Sequence, residues 1–280
     1  VQATWHQPFS SCWRPGLRAR PSPQGAGASA LGAMAREEMA LPLMMALPLM
    51  YYSLMRCGRS LVLPAGRRGF REIRAIYDDE TVRVYQAYND AIADAAVAGN
   101  SFRAPMERGL WSPRRMTWIK PSAVWMAYRC GWTTLKDRNQ ARVLALDVSR
   151  PGFEQLLMGA TLSHGPREGK RRDRAVVVQW DPERVMDPRA TPEEVFTKKL
   201  VNVRSIQIGL RGESVQTLLN PSFVRRVTDV TPAFRAAVGA LSGSPPDLEA
   251  AGALLWPRPE VELPVPAALR AALEMDCSGE

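Results

Sequence analysis

The sequence predicts an α+β fold: a single domain, a mixed β-sheet with short helices packed on it, running from about Phe70 to Leu241 between disordered N- and C-terminal extensions. Three observations predict it. Apolar periods of about two and about 3.6 residues take turns along the middle of the chain. Several of the helical stretches are too short to cross between parallel strands, which argues against a doubly wound fold. Both ends are rich in Pro, Gly, Ala and Ser and lack an apolar period.

The elements follow in order. Phe70–Tyr77 reads as a strand, and Asp78-Asp79-Glu80 as an N-cap with an acidic first turn. Val82, Tyr85, Tyr88, Ile92 and Ala95 recur at three- and four-residue steps, so the spacing predicts an amphipathic helix over residues 80–98, closed by Gly99-Asn100. Met116–Lys120 is a short strand, and Pro121 stands as the first residue of a helix that stops at Gly131. Arg142–Val148 is a strand, and Ser149-Arg150-Pro151 opens a short helix to about Met158. Ala175–Trp180 and Val203–Gly209 are strands, Glu213–Leu219 a helix and Phe223–Val230 a strand. Thr231-Pro232 begins a last helix ending near Leu241. The charged stretches Gly165–Arg174 and Asp187–Lys199 read as solvated loops.

Residues 1–69 read as a disordered or targeting leader. Within it, residues 39–55 hold the hexapeptide MALPLM twice, so Pro42 and Pro48 interrupt any helix. The run is shorter than the roughly 20 apolar residues of a spanning helix and follows Glu37-Glu38, which disfavours a membrane anchor and a secretory signal. From Ser242 the prolines of SGSPPD and WPRPEVELPVP predict a mobile tail, with room for a short helix at Ala267–Met275 and for Trp256 to dock back. Residues 1–70 carry a net +6, residues 71–236 +8 and residues 237–280 −5, so the basic excess sits in the leader and the domain. Cys12, Cys57, Cys130 and Cys277 form no CxxC pair, which fits a reducing compartment better than a disulfide framework. With only His6 and His164 as histidines, no metal site is expected. The expected location is cytoplasmic, or organellar after leader removal, and not secreted.

Five motifs follow one another in the domain: IRAIYDDETVRVYQAYNDAIADAAVAG, MTWIKPSAVWMAYRCGW, VLALDV, VQWDPER and RSIQIGLRGE. In order and spacing they resemble the family known only as domain of unknown function 4291, over about residues 71–232. The resemblance implies a small α+β domain and carries no activity with it.

The residues that could do chemistry fall in three groups. In the second motif, Trp118, Trp125, Tyr128 and Trp132 stand beside Lys120, Ser122 and Arg129, with Arg114 and Arg115 upstream. Trp125, Tyr128 and Arg129 share a helix face at i, i+3 and i+4. Rings beside cations suit a base or a nucleic-acid strand, the rings stacking and the cations meeting phosphate; the bland account is a tryptophan core with charged caps. Arg74, Tyr77, Gln86 and Tyr88 make a second group, in which Gln86, with Asn89 and Asp90 on the helix flank, reads either as a hydrogen-bonding edge or as the wet face of the helix. Arg204 and Gln207 make a third, with Gln207 opposite Ile206 and Ile208 in the alternation, where it lines a pocket or an exposed sheet face. His164 is the one loop histidine available to move protons. GxSxG, P-loop, GxGxxG and HExxH motifs are absent.

Two functions from different classes are therefore expected. The first is a basic module binding a phosphate-bearing partner, nucleic acid or a nucleotide, through the Trp/Tyr/Arg cluster. The second is a nucleotide-dependent transferase, ADP-ribosyltransferase-like and consuming NAD as cosubstrate, with Arg74 on ribose or phosphate and Glu213 near the leaving group. A plain interaction protein with no small ligand is the third outcome.

Overall fold

The computed structural model describes residues 69–134, 137–163, 175–190 and 194–276. Its first half holds β1 (Arg74–Ala75), β2 (Thr81–Tyr88), α1 (Asp90–Ala98), α2 (Arg103–Glu107), β3 (Thr117–Ile119) and α3 (Ala123–Cys130). Then come β4 (Arg142–Ser149), α4 (Arg150–Met158), β5 (Thr161–Leu162), β6 (Val176–Met186) and β7 (Thr197–Leu210). A 3-10 segment (Gly212–Leu219) leads to β8 (Val224–Asp229), α5 (Thr231–Leu241), α6 (Leu248–Leu255), β9 (Val261–Glu262) and α7 (Ala267–Ala272).

The strands pair in the orders β2-β4-β8, β3-β7-β6-β5 and β1-β9. Every pair is antiparallel except β5–β6, so the four-stranded sheet is mixed and the fold is α+β. The two larger sheets meet at one bridge: the Tyr85 amide donates to the Lys120 carbonyl (2.8 Å) and the Lys120 amide returns the bond (3.3 Å). That bridge fixes the end of β3, and with it Lys120, against β2.

The three-stranded sheet is buried on both sides. Val82, Val84, Leu144, Leu146 and Val148 face one apolar cluster, while Tyr85, Val143 and Ala145 face a second that includes Trp132 and Phe234. This explains the one large disagreement with the sequence pattern. Residues 81–88 were expected in a helix over residues 80–98 and form β2 instead. A strand buried on both faces places apolar residues at odd and even positions alike, and that mixture imitates a three-and-four spacing. The expected cap is a tight turn: Asp78 Oδ1 accepts from the amides of Glu80 (3.1 Å) and Thr81 (2.7 Å). The true helix begins nine residues after Thr81, capped by Asn89, whose Oδ1 accepts from the Ile92 amide (3.0 Å).

Smaller differences have equally local causes. The expected strand Phe70–Tyr77 is reduced to Arg74–Ala75, with single bridges at Arg71 and Tyr77. Pro121 precedes the cap of α3, and Ser122 does the capping, its Oγ accepting from the Trp125 amide (3.2 Å). Strands β6 and β7 run on to Met186 and from Thr197, so Lys198-Lys199 lie in a strand and not in a loop. Glu213–Leu219 is a 3-10 segment.

The tail from Ser242 was expected to be mobile, yet through Asp276 it is folded onto the domain. β9 pairs with β1, and Leu263, Leu269, Leu273 and Met275 enter the first apolar cluster. Prolines shorten its elements without preventing the leucines from burying, and each fully buried Leu contributes roughly 1.5–3 kcal/mol. Trp256 packs on the second cluster, as the sequence allows. Residues 1–68 of the leader, the basic stretch Gly165–Arg174 and His164 lie outside the described residues. No helix among the described residues is long and apolar enough to cross a membrane.

Candidate ligand-binding site

The site is built by the alternation of β6 and β7. Even-numbered residues Val176, Val178, Trp180, Ile206, Ile208 and Leu210 fill the first apolar cluster. The odd-numbered residues therefore look the other way. Gln179 stands opposite Gln207, and Asp181 opposite Ser205. On the next strand Trp118 stands opposite Gly209. A Cβ on Gly209 would lie 2.9 Å from the Trp118 ring, so this glycine is what lets the indole rest against the sheet. The result is a polar strip that runs from Trp118 past the paired glutamines to Asp181, with Trp118, Gln179 and Gln207 half-buried.

Lys120 closes the inner end of the strip. Its side chain is fully buried, and Nζ donates to Asp181 Oδ2 (3.2 Å) and to the Ser205 carbonyl (3.3 Å). The Trp125 ring covers the ammonium, 4.1 Å from ring centre to Nζ. Burial lowers the Lys120 pKa, opposed by the charges of Asp181 and Glu183. Asp181 also accepts from Gln179 Nε2 through Oδ1 (2.7 Å), so both carboxylate oxygens are held. Just beyond, Glu183 sits at an irregularity of β6 and accepts from Ser122 Oγ (2.9 Å).

A carboxyl group from the C-terminal segment completes the interior. Glu260 Oε1 accepts from the Ala123 amide at the start of α3 (2.7 Å). Burial pushes the Glu260 pKa up to about 8, with the neighbouring Glu183 charge adding to it and the Ala123 bond opposing. Burial likewise raises the Tyr85 phenol, and the charge of Glu260 works in the same direction. The Arg74 guanidinium bridges Glu72 Oε2 (3.2 Å) and the Glu260 carbonyl (3.3 Å).

The structure thus brings together Trp118, Lys120, Ser122, Trp125 and Gln207 from the residues singled out in the sequence. It gives the others different places. Tyr128 packs edge-on to Trp125 and has the Arg184 guanidinium 3.2 Å from its ring centre, while Arg129 is exposed. The faces read as free stacking platforms on α3 are in part already covered by cations of the same chain. Gln86 is not on a helix flank, nor Tyr88 in a helix stripe, and both brace β3: Gln86 Nε2 donates to Thr117 Oγ1 (2.8 Å) and the Trp118 carbonyl (3.0 Å), and Tyr88 OH donates to Gln86 Oε1 (3.2 Å). Tyr77 lies under Arg150, 5.2 Å from ring centre to Cζ. Arg204 falls on the face opposite Gln207. Glu213 is exposed at the start of the 3-10 segment and shares no partner with Arg74.

Gln179, Asp181, Glu183 and Glu260 were missed. The first three had a signal, a polar residue at every second position of VVVQWDPER. Glu260, in a proline-rich stretch, had none. Among the described residues no group of three or more His, Cys, Asp or Glu side chains is placed to hold a metal ion.

One observation remains at the centre of the strip: Gln207 Oε1 is buried and has no hydrogen-bond partner among the described residues. An unmet buried acceptor costs roughly 1–3 kcal/mol, so it is rare unless something else meets it.

No curated protein matches the chain. A family profile does, over residues 72–253, a span that takes in the whole polar strip and stops short of Glu260. That match covers more than half of the 280 residues, and the chain belongs to the family described as Domain of unknown function (DUF4291).

Proposed function

We propose that the domain binds a nucleotide, free or at a splayed position of a single strand, with its base on the polar strip between Trp118 and Trp125. The unmet Gln207 Oε1 carries this reading. A nucleobase edge offers amino and imino donors, and glutamine side chains pair with such edges. Gln179, directly across from Gln207, supplies a second amide. The half-buried Trp118 offers the stacking surface, which for a base and an aromatic ring is worth roughly 1–3 kcal/mol. Arg114 and Arg115 are exposed on the approach to β3, where a phosphate would find them. Lys120 does not reach the phosphate in this reading. Its part is to hold Asp181 in place and to fix the inner limit of the strip.

The NAD-consuming transferase draws no support from this geometry. Arg74 is engaged by Glu72 and the Glu260 carbonyl, away from Glu213.

A thermal-shift series on the full chain tests the proposal, using the four ribonucleoside monophosphates and short single-stranded RNA. A ligand at about 100 times its dissociation constant adds roughly 2.7 kcal/mol, or roughly 5–10 °C for a domain of this size. A shift with a monophosphate places the site at the level of one nucleotide; a shift with RNA alone, lost in salt, assigns it to a strand. No shift with any of them sinks the proposal.

A further inference from the structure

Where the polar strip ends at Gln179 and Asp181, the same sheet carries a second set of unmet groups. Arg71 and Arg204 both stand over the exposed Phe70 ring, Cζ 5.9 Å and 5.0 Å from its centre. Arg71 Nη1 is held by Glu274 Oε2 (2.6 Å), but its Nε is buried without a partner. The Arg204 guanidinium has the Phe70 ring and, among the described residues, neither an ion pair nor a side-chain hydrogen bond. Both arginines line a cavity of about 430 Å³ at the step where β5 ends and the edge of β6 runs on alone. That volume lies within the roughly 300–1,000 Å³ of small-molecule sites.

The cavity wall carries two arginines and two carboxylates, but both carboxylates are already engaged. Glu274 is paired with Arg71, and Asp181, also on the wall, is paired with Lys120. Arg204 is left as an uncompensated cation whose planar fork suits an oxyanion held by two parallel bonds. Arg71, on the same wall, adds a second guanidinium. A flat carboxylate is satisfied by one fork, whereas a tetrahedral phosphate has oxygens for both.

We propose that this cavity, which adjoins the polar strip at Gln179 and Asp181, is a binding site for a small phosphate monoester held by Arg204 with Arg71, and that its occupancy does not require a base on the strip. Isothermal titration of the full chain with glycerol 3-phosphate tests it, in parallel with succinate. Glycerol 3-phosphate is expected to bind saturably, at least ten-fold more weakly to Arg204→Ala. Arg204→Lys keeps the charge without the fork and is expected to restore only part of the loss. Arg129→Ala removes an equal charge from an exposed helix position and is expected to leave the affinity within two-fold. Circular dichroism and an unchanged melting temperature establish that Arg204→Ala is folded. The proposal is overturned if glycerol 3-phosphate shows no saturable binding at millimolar concentration, or binds Arg204→Ala as well as the unaltered chain. Arg204-dependent binding of succinate alone also overturns it, because the site then takes carboxylates.

Discussion

The two faces of the β3-β7-β6-β5 sheet are made by alternate residues of the same strands, yet they are spent differently. One face puts Val178, Trp180, Ile206 and Ile208 into the main core, where each residue adds stability. The other lines up Gln179, Asp181, Ser205, Gln207 and Lys120, buries a cation that burial itself disfavours, and leaves one acceptor unmet. Folding alone would have been served by apolar residues on both. The comparison teaches where to look for function in a chain without a catalytic motif: at groups whose burial costs stability and that packing does not explain.

Substitutions on the polar face sharpen that contrast, because each removes a cost or a support of a different size. The largest effect is expected for Lys120→Met. It leaves Asp181 buried and charged without its partner, at a cost of roughly 3–5 kcal/mol, readable by urea unfolding. A smaller loss would mean that water reaches Asp181.

Glu260→Gln comes next, and its effect depends on pH. The folded-state pKa of about 8 lies above the usual carboxyl value of 4.5. Below the lower value both states hold the proton, and the group contributes nothing to pH dependence. Between the two values the unfolded chain releases the proton while the folded chain keeps it, so stability falls as pH rises and levels off above about 8. The full span is of the order of 3–5 kcal/mol. Glutamine can still accept from the Ala123 amide, so this variant is expected to lose that slope and to exceed the unaltered chain at pH 8.5. Parallel stability–pH curves for the two would remove Glu260 from the account.

Gly209→Ala is a milder break. Its new methyl would meet the Trp118 ring at 2.9 Å and the flexible end of Met116. Displacing the indole is expected to cost roughly 1–3 kcal/mol and to shift the tryptophan emission toward that of exposed indole. Unchanged emission would show that Trp118 does not rest on this glycine.

How much of this was legible in the sequence follows from the range over which each signal acts. The fold class, β3 with α3, and β4 with α4 were legible because their caps and periods lie within ten residues, as with Ser149 capping α4. Strand β2 was not, since two-sided burial depends on α5 and the second cluster arriving from the other end of the chain. Trp118, Lys120 and Gln207 could be picked out by residue type and alternation. Their meeting could not, because it depends on the register of three strands. The tail and Glu260 were hidden by prolines that local rules assign to mobile chain, while the decisive contacts, such as β9 with β1, span nearly the whole domain.

The smallest effect on stability and the largest on binding are expected of one variant, Gln207→Leu, measured for both. Leucine removes the unmet oxygen, so the melting temperature of the unliganded chain is expected to stay level or rise. Nucleotide affinity is expected to fall at least ten-fold. A variant that melts earlier yet binds as well as the unaltered chain would contradict the account, for Gln207 would then be a structural residue and the polar strip an ordinary face of the sheet.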